Sequence, residues 1–145
     1  MDSLFVVILI GLIGGAAVGT QSAIVGAMGQ KVGGTAGSFI VHLSGAIFSG
    51  LLLFFRGGEK IREWQSLPWY MLISGIFGLI LYLTINVTFP RLGSTAMVTL
   101  VIVGQLLMGA LVDHFGWLNA QVHPFSLARA AGIALLLAGA YLISR

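Results

Sequence analysis

The stretch VIVGQLLMGALVDHFG, residues 101–116, carries one carboxamide inside an apolar run and ends on a carboxylate and an imidazole. A carboxamide offers two donors and an acceptor without ionising. Left unpaired in hydrocarbon it costs several kcal/mol. Gln105 must therefore meet a side chain, a backbone group, water or a solute. Four further polar residues raise the same question in other apolar runs: Gln21, His42, Tyr82 and Asn86. All five are uncharged, or, for His42, neutral in one of two forms. Such a set suits a neutral, hydroxyl-rich or zwitterionic solute better than a bare cation. An anion also fits, because His42 can become positive. Each residue has a plainer reading: Gln105 as interhelical glue, and His42 as a ring bonded to a nearby serine. The alternative for His42 is a proton carrier, since histidine is the unperturbed side chain that titrates near neutral pH.

The elements that hold these residues follow from composition. The chain of 145 residues is 58% hydrophobic and 8% charged, far below the charge a soluble domain needs on its surface. Its mean hydropathy is +1.05. The apolar residues form runs near the ~20 residues that cross ~30 Å of hydrocarbon. They predict five transmembrane helices, at about 4–28, 36–55, 69–89, 94–112 and 125–144. The expected class is an all-α integral membrane protein with a single five-helix transmembrane domain. Pro68, Pro90 and Pro124 are expected at span ends, where proline costs little. Trp64, Trp69, Tyr70 and Trp117 are expected at the interfaces. The N-terminal run lacks a basic flank and exceeds the usual signal-peptide core, so it reads as a retained first helix. The net charge of +3 reflects basic residues at the membrane surface, and no nucleic-acid partner is expected.

Face by face, the polar positions cluster. Ser38, His42, Gly45 and Ser49 share one side of helix 2. Gly75, Gly78, Tyr82 and Asn86 share one side of helix 3. Gln105 lies with Ser94, Val98, Val101 and Val112 on helix 4. Gly11, Gly15 and Gly19 form a small-residue stripe on helix 1, and Gly132 and Gly139 one on helix 5; both suit helix packing. The expectation is a polar cavity lined by helices 1 to 4, with helix 5 packing or dimerising. Asp113 and Arg129 flank the last connection and predict an ion pair, either structural or a gate. With no cysteine, no acid pair and no metal-ligand cluster, an enzyme, a cofactor and a metal site are not expected.

Orientation is nearly balanced. Arg56, Lys60, Arg62 and Arg129 fall on one face and Lys31, Arg91 and Arg145 on the other, four against three. The positive-inside rule needs a clear excess to fix one topology. The balance admits either one topology with the charged 2–3 loop in the cytoplasm, or dual topology supplying an antiparallel homodimer. In many transporters two inverted repeats flank the substrate; here a second copy would replace the missing repeat.

The segments GTQSAIVGAMGQKVGG, LGSTAMVTLVIVGQLLMGALVDHFGWL and PFSLARAAGIALLLAGAYLI resemble the YdcZ-type family. These are small five-helix bacterial inner-membrane proteins of the drug/metabolite transporter (EamA-like) superfamily. The resemblance covers essentially the whole chain. It implies half of a ten-helix fold, completed by an inverted second copy, with the first four helices of each half lining the pathway. It departs from the four-helix small multidrug resistance relatives, whose helix 1 carries a membrane glutamate; Gln21 cannot ionise. The expected function is secondary transport of a small polar or amphipathic metabolite across the inner membrane. Movement of a lipid-linked headgroup, or service as a non-transporting subunit, are the alternatives. Membrane lipid and a small-molecule substrate are the expected partners.

Overall fold

The computed structural model describes residues 4–143. The end of the expected fifth span, Ser144, and the counted cation Arg145 lie outside them. The described residues are almost wholly helical: α1 (Leu4–Val32), α2 (Gly34–Phe55), a 3₁₀ turn (Ile61–Ser66), α3 (Trp69–Leu72), α4 (Gly75–Phe115), a 3₁₀ turn (Trp117–Asn119) and α5 (Leu127–Ile143). At 1.5 Å per residue, α1 reaches about 43 Å and α5 about 26 Å. Among the described residues, three helical stretches are long and apolar enough to cross a membrane: Leu4–Val32, Gly34–Phe55 and Trp69–Phe115. The third has 47 residues, enough for two crossings. Its helical path breaks at Gly93 (φ 74, ψ 174), a conformation open to glycine and strained for other residues.

Two expected loops are shorter than the sequence suggests. GQKVGGT is helical except at Gly33 (φ 88), which alone separates α1 from α2. PRLG is helical except at Gly93. Pro90 lies in the last helical turn before that break. A proline there removes one helical donor, and what compensates for it is described below.

The chain forms two compact units, residues 1–90 and 91–145. In the first, α1 and α2 pack together. Ser22, Val25, Gly26 and Gly29 are the buried residues of α1, and Gly37 and Ser38 those of α2. The α1 set recurs at three and four residues, one face of a helix. A side chain at Gly37 would come within 3.8 Å of the Gly29 backbone, so the two helices approach through their glycines. The packed stripe thus begins at Ser22. Gly11 and Gly15 are exposed and Gly19 is half-buried, and a Cβ at each would meet nothing within 4 Å.

In the second unit, the connection from α4 to α5 is pinned at several points. Gly116 takes the left-handed conformation (φ 64) that closes many helices. The backbone N–H of His123 donates to the Asp113 carbonyl (2.9 Å), and that of Phe125 to Nδ1 of His114 (3.1 Å). Ser126 caps α5: its Oγ accepts from the N–H of Arg129 at 3.2 Å.

Candidate functional site

Two polar clusters and a groove between the later part of α4 and α5 hold four of the five candidate residues. The first cluster lies between α2 and the first part of α4. Ser38 begins the polar side of α2, and one turn later His42 turns back upon it. Nδ1 of His42 lies 2.7 Å from the Ser38 carbonyl and 3.2 Å from its hydroxyl. A carbonyl oxygen only accepts, so Nδ1 carries the proton, and in the neutral ring Nε2 keeps its lone pair. Nε2 approaches α4 at Gly78, where a Cβ would stand 2.6 Å away. The absence of a side chain at Gly78 is what admits the ring. One turn beyond, Tyr82 meets His42 edge to face, with ring centroids 5.1 Å apart at 76°. Tyr82 is only 8% exposed, yet its hydroxyl has no protein partner among the described residues and still reaches the molecular surface. His42 also lines an apolar groove with Thr35, Phe39, Ile76 and Leu79.

The second cluster surrounds Asn86. Its carboxamide is seated against the backbone of Gly29 and Gly34, where any Cβ would collide with it. Gln30 Nε2 donates to the Asn86 backbone carbonyl (3.2 Å) and to Oδ1 (3.4 Å). Gln30 is a polar residue the face analysis passed over. Local spacing gave no signal for it, because its partner Asn86 lies 56 residues away in the chain.

Gln105 belongs to the second unit. It lines a groove of about 350 Å³ between the later part of α4 and α5. Gln105, Gly109 and Asp113 recur every four residues along one wall. Arg129, Gly132, Ile133 and Leu136 form the other. At the far end Arg129 Nη1 lies 3.3 Å from Asp113 Oδ2 and 3.3 Å from the His123 carbonyl. Both members of the pair are more than a third exposed, so its net contribution is small. The groove shows α5 bordering a polar residue of α4, where a packing or dimerising role was expected for it. Gly132 lines this groove, whereas a Cβ at Gly139 would meet nothing within 4 Å.

The amides of Gln105 and Gln21 make no hydrogen bond among the described residues, and both residues are exposed. His42, Tyr82 and Asn86 are gathered in the first unit with Gln30; Gln21 does not join them. No group of three metal-binding side chains occurs among the described residues.

The family model DMT_YdcZ, described as "Putative inner membrane exporter, YdcZ", matches residues 6–142. Neither a curated protein nor a solved structure matches the chain. The long apolar helices and a match over nearly the full length agree, and the chain belongs to the DMT_YdcZ family as a multi-pass protein of the inner membrane.

Proposed function

We propose that the chain is a secondary transporter of a small polar or amphipathic metabolite, acting as an antiparallel homodimer of five-span subunits. One observation carries the reading most directly. Gln105, well inside an apolar helical stretch, borders a groove and has no hydrogen-bond partner among the described residues. In hydrocarbon that carboxamide demands a partner. A polar solute in a pathway supplies one, and exchanges it on each passage. The Tyr82 hydroxyl and the free Nε2 of His42 are further unclaimed groups of the same kind. His42 is the candidate proton carrier, and Asp113–Arg129 the candidate gate. The near-balance of basic residues supports two orientations, and the unoccupied glycine stripe of α1 supports a second copy beside it. Transport, as against chemistry, is in keeping with the printed description of the family.

The test is binding. Purified protein is heated in the presence of separate panels of sugars, polyols, amino acids, organic anions and organic cations. A ligand at 100 times its Kd stabilises by about 2.7 kcal/mol. Stabilisation by at least one neutral or zwitterionic class, lost in Gln105→Leu, is expected. Stabilisation by organic cations alone would overturn the proposed substrate class, and none by any class would overturn the solute site.

A further inference from the structure

A proline inside a helix leaves the carbonyl four residues earlier without its donor. Pro90 does this to Asn86. The orphaned acceptor is the same carbonyl to which Gln30 donates at 3.2 Å, from the end of a different helix. We infer that Gln30 supplies the hydrogen bond that Pro90 cannot, and that Gln30 and Asn86 form a latch holding α4 closed at its proline.

The surroundings are built around this contact. The Gln30 amide also reaches Oδ1 of Asn86 at 3.4 Å, so one NH₂ group serves two acceptors on one residue. Gly29 and Gly34 have no side chains where the Asn86 carboxamide sits, and a Cβ at either would displace it. Gly33, with φ 88, turns the chain between them, so both ends of the α1–α2 junction reach Asn86. Phe89, three residues on, fills the space over Gly26. Asn86 is thereby assigned to holding the helices and not to touching solute. The latch has two states. Closed, the carbonyl is satisfied. Open, it needs water, and α4 is free to bend at Pro90, where prolines kink helices. The inference rests on backbone chemistry and is independent of what the chain carries.

The test is a rescue. In the full-length protein in detergent or nanodiscs, Gln30→Leu removes the donor. Pro90→Ala restores the helical N–H and makes the donor unnecessary. Amide exchange across residues 86–94 and the Tm are read for wild type, both single variants and the double variant. Exchange in Gln30→Leu is expected to rise about 3-fold, the equivalent of one average membrane hydrogen bond. In the double variant it should return to the level of Pro90→Ala alone. A Gln30→Leu effect of equal size in both backgrounds would overturn the inference, as would no effect in either. Should Gln30→Leu fail to fold, recovery of folded protein by adding Pro90→Ala would support it, and continued failure would overturn it.

Discussion

At the scale of single residues, the sharpest distinction is between polar groups with partners and those without. Gln105 has none among the described residues. Replacing it with leucine removes no intrachain bond, so Tm should be unchanged or raised, since leucine is at home in the bilayer. Were Gln105 glue to another helix, the same change would cost about 0.6 kcal/mol, the average for such bonds. Differential scanning of the purified protein separates the two. Gly78 is the opposite case. Its missing Cβ is the space that His42 Nε2 approaches. Gly78→Ala should destabilise by about 1–3 kcal/mol, the usual cost of overpacking, measurable as a fall in Tm. Gly11→Ala, where a Cβ meets nothing within 4 Å, should cost the isolated subunit nothing; a weakened dimer would show that a second copy lies there.

At the scale of elements, the α4–α5 connection is held by several small contacts and not by its ion pair alone. Asp113→Asn should lower stability by no more than about 1 kcal/mol, because the pair is partly exposed. The backbone bonds to the Asp113 carbonyl and to His114 remain. Ser126→Ala removes the α5 cap and should cost about as much, roughly 1 kcal/mol. If the pair is a gate, Asp113→Asn changes the rate of solute movement far more than the Tm. Rate and Tm moving together would reduce it to a strut. The elements were legible to different degrees. Runs of apolar residues marked the long helices because length and hydropathy are local properties. The one-residue turn at Gly33 and the continuation of α4 through Pro90 were not legible. Both depend on Gln30, Gly34 and Asn86 meeting across three helices, and no window of sequence contains that meeting. The polar side of α2 was readable from spacing, but the tautomer of His42 was not, because it depends on a 2.7 Å approach to its own backbone. Gln105 was conspicuous in the sequence; the α5 wall beside it was hidden, because Gly132, Ile133 and Leu136 look like any apolar helix face.

For the whole molecule, four basic residues against three leave insertion finely balanced. Single cysteines at Ser3, outside the described residues, should be labelled from both sides of the membrane in cells. Two lysines added to the loop around residues 57–66 should impose one orientation and abolish activity until an oppositely biased copy is co-expressed. Labelling from one side only would remove the antiparallel pair. The claim that most needs direct measurement is that the chain moves a solute. Wild-type protein and Gln105→Leu are each reconstituted into liposomes, and flux of labelled sugars, polyols, amino acids and organic ions is followed with and without a pH gradient. The account predicts at least one neutral or zwitterionic solute that crosses faster with wild-type protein than in protein-free vesicles, with that increment lost in Gln105→Leu. Equal flux through both proteins, or flux no faster than in empty vesicles for every solute, would contradict it.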